Sequence, residues 1–182
     1  QLLRANGLEH VRIEPAQGFL SDHYDPRHKV LRLSRDVYSG RSIASVGIAA
    51  HEAGHAIQHR VGYAPLALRN GIVPLASVGG GLAMVFLMLG LVLRSFNLSL
   101  IGIGLFSVIV LFQLVNLPVE FNASKRARAA LLTSGIIQQV EDRDVAKVLN
   151  AAALTYVAAT LTAVLQLLYF LYRSGLLGGR RE

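Results

Sequence analysis

The sequence predicts a mainly α-helical membrane protein with a small unit of mixed α and β structure near its start. Three uncharged apolar runs, 72–93, 98–117 and 149–172, are each long enough as a helix to cross a hydrocarbon core of about 30 Å. Hydrophobic residues make up 53% of the chain and charged residues 16%, with a mean hydropathy of +0.46, which is more apolar than a typical soluble domain. At 182 residues, the chain is too short to cover such helices in a soluble core.

The first 41 residues are mixed and polar, and they predict a short β-unit. Residues 11–14 alternate apolar and polar side chains, as a half-buried strand does, and residues 29–34 form a second candidate strand. Asp25-Pro26 predicts a turn between them, because Pro pre-sets the backbone of a turn's second residue. We therefore expect a small hairpin or sheet ahead of the first long helix.

The first long helix is expected over about 42–60. Ser42 or Ser45 could cap its start, and Gly62 could end it. This helix is small and apolar as far as His51, which favours packing on several sides.

The pattern predicts one membrane-embedded domain over residues 1–182, divided into four parts. In chain order these are the β-unit with the first long helix, a transmembrane hairpin, a polar helix and a third transmembrane helix: 1–71, 72–117, 118–148 and 149–172. Because residue 1 is Gln, we also expect that an N-terminal piece of the protein precedes this sequence.

The net charge of +7 favours a basic surface beside anionic lipid. Nucleic-acid binding is not predicted, because the chain lacks clustered basic residues with interleaved aromatics and any groove-reading motif. Lys and Arg near the apolar runs number seven on the face that carries 1–71 and 118–148. The opposite face has four, namely Arg94, Arg173, Arg180 and Arg181. The excess favours the first face as cytoplasmic.

The segment His51-Glu52-Ala53-Gly54-His55 is an H-E-x-x-H motif. Residues four apart share a helix face, so both imidazoles can bind one zinc ion, and Glu52 can reach a water molecule there. The alternative is two surface histidines beside a solvated Glu. The apolar, small-residue helix makes that alternative unfavourable, since unpaired polar groups are costly to bury. The absence of cysteine leaves only His, Asp and Glu as metal ligands.

A third ligand has two candidates, His59 and Glu120. His59 lies four residues beyond His55, but helical geometry rotates it by about 80° from His51, so a supporting or surface position is expected. Glu120 follows the second apolar run directly, where an acidic residue needs a partner or a function. Glu120 could instead pair with Arg126 or lie solvated at a helix N-terminus.

Four segments of the sequence carry a family resemblance: Asp22-His23-Tyr24-Asp25-Pro26, 51–59, Leu117-Pro118-Val119-Glu120-Phe121-Asn122-Ala123-Ser124 and Asn150-Ala151-Ala152-Ala153-Leu154-Thr155-Tyr156. The H-E-x-x-H motif with a later Glu is similar to the gluzincin class. More closely, the four segments resemble the bacterial YugP-like membrane family of neutral zinc metallopeptidases. The resemblance implies a zincin-like α+β catalytic unit in a bacterial cell membrane, and it covers nearly the whole chain. Such proteins usually begin with one further membrane span, which this sequence lacks.

The resemblance also implies residue roles. His51, His55 and Glu120 would be the zinc ligands, and Glu52 the catalytic base. Many gluzincins place an Asp four residues after the ligand Glu to orient a zinc histidine, whereas Ser124 stands there in this chain. Either Ser124 orients the histidine more weakly, or another acid such as Asp22 or Asp25 does so. Site-2-type intramembrane proteases also carry H-E-x-x-H, but they take an Asp ligand from a later membrane span. The predicted spans here contain no Asp, which argues against that class.

These features predict a zinc-dependent endopeptidase that hydrolyses membrane-associated or unfolded proteins by a zinc-activated water. Tyr156, His23 and Tyr63 are candidates for stabilising the oxyanion. The strand 29–34 could accept an extended substrate at a sheet edge or be an ordinary internal strand, and the sequence leaves both open. The alternative function is a non-catalytic membrane scaffold or chaperone-like protein with a structural zinc.

Overall fold

The computed structural model describes residues 1–18 and 20–177, which form two compact units. The first unit comprises 1–66 and 118–154, and the second comprises 67–117 with the described part of 155–182. The first unit holds the β-sheet and the H-E-x-x-H motif. That residues 1–182 act as one domain stays a prediction. Arg180 and Arg181, which entered the orientation argument, lie outside the described residues.

The first unit contains a three-stranded sheet in the order β1-β3-β2. Its strands are β1 (Arg12–Ala16), β2 (His23–Asp25) and β3 (Val30–Ser34). β1 runs parallel to β3, and β2 runs antiparallel to it. The expectation of a small sheet is confirmed, with β2 as an additional strand. Of the two alternatives left open for residues 29–34, the structure has the internal strand, because β1 and β2 pair with opposite sides of β3.

Asp25 fixes the turn that joins β2 to β3. Its Oδ1 accepts hydrogen bonds from the backbone N–H groups of Arg27 (3.0 Å) and His28 (3.1 Å). Its Oδ2 lies 2.7 Å from both the Arg32 guanidinium and the His28 ring. The Arg32 and His28 hydrogen bonds hold the pKa of the Asp25 carboxyl well below its usual range. The predicted turn at Asp25-Pro26 is therefore confirmed, and a charged carboxylate organises it.

The helices of the first unit begin with two short ones, α1 (Leu2–Ala5) and α2 (Arg35–Tyr38). The predicted first long helix is α3 (Ile43–Arg60). The Ser42 side chain caps it by accepting a hydrogen bond from the backbone N–H of Ser45 at 3.1 Å. Gly62 ends it with a φ of +62°, a conformation that glycine adopts without steric cost.

Three long helices contain the three predicted apolar runs: α4 (Ala64–Val92), α5 (Phe96–Thr133) and α6 (Gln139–Arg173). Each is long and apolar enough to cross a membrane. In the most apolar window of each, only 22% of residues are buried inside the protein. Exposed apolar side chains at this density require lipid to cover them. The fold class predicted from the sequence is confirmed.

The polar stretch 118–148 is not a separate helix. Its first part continues α5 through Pro118, and its last part begins α6. A proline inside a helix removes one backbone hydrogen bond but does not have to end the helix when its surroundings hold the chain. The break comes instead at Gly135, which has a φ of +64°. Glu120 is therefore on the same helix as the second apolar run.

α3 and α5 approach each other closely because small residues line their contact. Ala53, Ala56 and Ala127 are buried there, within the apolar core of the first unit. A Cβ added at Gly54 would overlap the backbone carbonyl of Ala123 on α5. A Cβ at Gly47, in contrast, would meet its nearest neighbours at an ordinary 3.8 Å. At the turn of α3 that carries the motif, the backbone of α5 thus leaves no room for a side chain larger than that of glycine.

We predict that Gly54→Ala destabilises the first unit by about 1–3 kcal/mol, because the added methyl group forces α3 away from α5. Gly47→Ala is the matched control. Because Ala has a better helix propensity than Gly and fits at this position, the free energy of unfolding should stay unchanged or rise slightly. Thermal unfolding of the two variants in detergent, followed by circular dichroism, measures the difference. Equal melting temperatures for the two variants would contradict the close contact.

We also predict a pH-dependent role for Asp25. Because its pKa is lowered in the folded state, Asp25 stabilises the protein above its unfolded pKa of about 3.9, and this contribution fades as the pH falls below that value. Asp25→Asn should therefore lower the melting temperature at neutral pH, with the difference shrinking towards about pH 3. The exposed Glu9→Gln is the control. A difference that grows on acidification would refute this assignment.

Candidate metal centre

Three ligand-type side chains converge between α3 and α5. His51 and His55 lie one turn apart on α3, and Glu120 faces them from α5. Glu120 Oε2 is 3.0 Å from His51 Nε2 and 3.6 Å from His55 Nε2. The ligand atoms of the three residues all lie within 4.8 Å of one another. These are the residues that the sequence singled out as metal ligands, and the structure brings them together.

The geometry and the donor set fit a zinc ion. Two ligands at tetrahedral zinc distances are about 3.4 Å apart. The two separations between Glu120 and the histidine nitrogens, 3.0 and 3.6 Å, lie on either side of that value. Two imidazole nitrogens and one carboxylate oxygen form a common set of protein ligands for zinc. Within residues 1–18 and 20–177, no fourth His, Cys, Asp or Glu joins the group. His51, His55 and Glu120 could therefore hold a metal ion as a set of three protein ligands.

Glu120 is only 3% exposed, and Arg126 is not its partner. The Arg126 guanidinium donates instead to Asn122 Oδ1 at 2.7 Å. Glu120 also lies inside α5, far from the first turn of that helix. The two alternatives for Glu120, an ion pair with Arg126 and a solvated helix N-terminus, are thus both wrong.

Glu52 is nearly buried beside His51, and β2 holds its side chain. The backbone N–H of Tyr24 donates to Glu52 Oε2 at 3.0 Å. Tyr24 pairs with Leu31 of β3, so β2 is the strand that passes next to the motif. The sheet therefore fixes the carboxylate adjacent to the first histidine, where a general base would be needed.

His59 lies apart from the three-residue group and pairs with Tyr24. The phenol oxygen of Tyr24 is 2.9 Å from His59 Nδ1, and the two rings are 5.8 Å apart at their centroids. Burial raises the pKa of the Tyr24 phenol above its ordinary value, and the nearby charge of Asp25 adds to this effect. The phenol therefore keeps its proton at neutral pH and is a hydrogen-bond donor to His59 whenever Nδ1 of that ring is unprotonated. A supporting position for His59 agrees with the helical geometry.

Each zinc-binding histidine candidate has a neutral partner behind it. His51 Nδ1 lies 3.1 Å from Ser124 Oγ, and His55 Nδ1 lies 3.0 Å from Gln58 Oε1. Asp22 instead accepts hydrogen bonds from the backbone and hydroxyl of Ser34, and Asp25 organises its turn. Ser124, rather than either of these acids, is thus the partner of His51.

Of the three candidates for oxyanion stabilisation, His23 and Tyr63 belong to the first unit and Tyr156 to the second. His23 is exposed, with its ring 2.8 Å from the carbonyl of Ser21. Tyr63 packs its ring against the Arg126 guanidinium, 5.8 Å from the ring centroid. Tyr156 belongs to the second unit, on α6. A catalytic role for Tyr156 stays a prediction.

The sequence reading assigned no role to Tyr24, Gln58 or Asn122. In the structure, Tyr24 holds Glu52, Gln58 contacts His55, and Asn122 contacts Gln58. Gln58 could have been found from its helical spacing, because a residue three positions after His55 lies on the same face. Tyr24 gave no local signal, since its contact with Glu52 spans 28 residues of sequence. Asn122 acts through Gln58, which only the packing of α3 on α5 reveals.

Comparisons with known proteins agree with this centre. The profile of a family described as "Putative neutral zinc metallopeptidase" matches residues 1–175. The chain is 49% identical over 170 residues to the "Putative membrane protease YugP" of Bacillus subtilis (strain 168), covering 93% of this chain and 76% of that protein. No solved structure matches the chain at a significant level.

The family match covers nearly the whole chain, and it includes both helices that carry the three ligand-type residues. The three apolar helices agree with the name of the Bacillus relative as a membrane protein. On this evidence, the chain is a membrane protein that belongs to the neutral zinc metallopeptidase family.

Proposed function

We propose that this protein is a zinc-dependent endopeptidase that hydrolyses peptide bonds of membrane-associated or unfolded proteins. One observation carries the proposal. His51, His55 and the buried Glu120 converge on one point, and Glu52 is fixed beside them. Three protein ligands next to a held carboxylate are the arrangement that hydrolytic zinc sites use.

Zinc bound by these three residues would supply a Lewis acid that polarises the scissile carbonyl and makes an attacking water more acidic. Glu52 then accepts the proton of that water and returns it to the leaving amine. The hydrogen bond from the Tyr24 backbone holds the Glu52 carboxylate in position for both transfers. The mechanism needs no further protein nucleophile.

The position of Glu120 supports substrates near the membrane. It lies three residues after the apolar run 98–117, on the same helix α5, so the ligand is about one turn from the end of the apolar segment. The excess of Lys and Arg on the segments that carry the ligands favours the cytoplasmic side of a bacterial inner membrane. Segments of membrane proteins and unfolded chains at that surface are therefore the proposed substrates.

The alternative is a membrane scaffold with a structural zinc. A structural site closes with four protein ligands, whereas only three ligand-type residues gather in the described part of the chain. A scaffold would also have no need for Glu52 to be held beside the ligands, since Glu52 is not part of the ligand group. The geometry therefore favours the peptidase.

We predict that Glu52→Gln lowers turnover of an unfolded protein substrate by roughly 10²- to 10⁴-fold, because the amide cannot accept the proton of water. Zinc content should stay at the wild-type level, since Glu52 is not one of the three ligands. The assay is cleavage of fluorescently labelled casein by detergent-purified protein, with zinc measured in the same samples.

The exposed Glu9→Gln is the matched control, and it should cleave at the wild-type rate. Cleavage by Glu52→Gln at the wild-type rate would rule out the assigned base. Zinc binding without cleavage of any unfolded or membrane-protein substrate by the wild type would favour the scaffold.

A further inference from the structure

A buried chain of hydrogen bonds stands behind the second histidine. Gln58 is 0% exposed, and its Oε1 lies 3.0 Å from His55 Nδ1. Its Nε2 donates to the carbonyl of Val119 at 2.8 Å and to Asn122 Oδ1 at 3.0 Å. Asn122 Oδ1 also accepts a hydrogen bond from Arg126 Nε at 2.7 Å. These hydrogen bonds thus join His55, a candidate zinc ligand on α3, to the guanidinium of Arg126 on α5.

The Val119 carbonyl and the Arg126 guanidinium decide which way the side-chain amides of Gln58 and Asn122 point. The oxygen and nitrogen of an amide side chain are nearly alike in shape, so their positions must be inferred from their partners. The Val119 carbonyl can only accept, and the Arg126 guanidinium can only donate. Asn122 must therefore turn its oxygen towards Arg126. Gln58 must turn its nitrogen towards Val119 and its oxygen towards His55.

This orientation determines the protonation of the His55 ring. Gln58 Oε1 only accepts, so His55 Nδ1 has to carry the proton that occupies the 3.0 Å contact. A neutral imidazole with its proton on Nδ1 has its lone pair on Nε2. That Nε2 is the atom that faces Glu120 Oε2, at 3.6 Å.

We propose that Gln58 is a positioning residue that holds His55 in the Nδ1–H tautomer before the metal arrives, with Asn122 and Arg126 fixing the orientation of its amide. The inference rests on the zinc centre of the proposed function, but it concerns how the protein prepares one ligand and not the reaction. Preparing the tautomer in advance removes a rearrangement that zinc binding would otherwise have to drive.

The first histidine differs in this respect. The Ser124 hydroxyl behind His51 can both donate and accept, so it imposes no tautomer. The amide behind His55 leaves a single choice. His55 is thus the ligand whose state is preset, and His51 is the ligand that can adapt.

The C-terminal end of α3 also supports Arg126, the last group in this chain of hydrogen bonds. The N–H of Tyr63 bonds to the carbonyl of Gln58 at 3.0 Å, in the hydrogen-bond pattern that Gly62 permits at a helix C-terminus. The ring of Tyr63 then packs against the guanidinium of Arg126, 5.8 Å from the ring centroid. The helix end that follows the motif therefore also holds the group that orients Asn122.

Removing the amide of Gln58 should weaken zinc binding. Gln58→Leu keeps a side chain of similar size but offers no acceptor to the Nδ1–H of His55, so zinc affinity should fall roughly 10- to 100-fold. The exposed Gln139→Leu is the matched control, and it should bind zinc with wild-type affinity, because residue 139 is not part of these hydrogen bonds.

The experiment measures zinc affinity of the full chain in detergent by competition with a chelating dye. It also measures the ¹⁵N and ¹H resonances of labelled histidines in the metal-free wild type. The expected result is a loss of zinc affinity in Gln58→Leu, wild-type affinity in Gln139→Leu, and a neutral His55 that carries its proton on Nδ1. Equal zinc affinities for the two variants, or a proton on Nε2 of neutral His55, would overturn the proposal.

The histidine resonances come from the wild type, so they test the proposal even where Gln58→Leu does not fold. They also separate it from the proposed function. A wild type that binds zinc and shows the expected tautomer without cleaving peptides would remove the peptidase and keep the role of Gln58.

Discussion

The structure of the first unit depends on one buried carboxylate. Glu120 is 3% exposed, and the described groups within reach of its oxygen are the imidazoles of His51 and His55. A charged carboxylate in such a place is stable only when it is paired or binds a metal. A cation held by all three residues satisfies the carboxylate and both Nε2 atoms at once. The neighbours that contact Glu52, His51 and His55 hold these three side chains in place around Glu120.

Small residues and a short sheet bring the chemistry together. Gly54 lets α3 approach the backbone of α5 at Ala123, which places the histidine face of one helix opposite the Glu of the other. The strand β2 then supplies the Tyr24 N–H to Glu52. Ser124 on α5 contacts Nδ1 of His51, and Gln58 on α3 contacts Nδ1 of His55. In both rings Nε2 then faces Glu120. The contact therefore determines both the stability of the unit and the orientation of the ligands.

Local patterns were enough to predict α3, the apolar helices and the histidine pair, because helical spacing and hydropathy are properties of the sequence itself. The position of Glu120 after an apolar run made it a candidate, and the family resemblance implied it as the third ligand. The role of β3 could not be predicted, since an internal and an edge strand of five residues look alike until their partners are known. The extent of α5 was misread at Pro118, where the surroundings of the helix decide whether it continues. The contacts of Tyr24 and Asn122 join residues 28 and 64 positions apart, and no local pattern encodes them.

The most direct test of the zinc centre is the metal content of detergent-purified protein, compared with Glu120→Ala and His59→Ala. The account predicts about one zinc per chain in the wild type and in His59→Ala, since His59 pairs with Tyr24 outside the ligand group. It predicts a sharp fall in Glu120→Ala, which lacks the carboxylate ligand. A wild type that contains no zinc even after supplementation would contradict the account, as would full retention of zinc by Glu120→Ala.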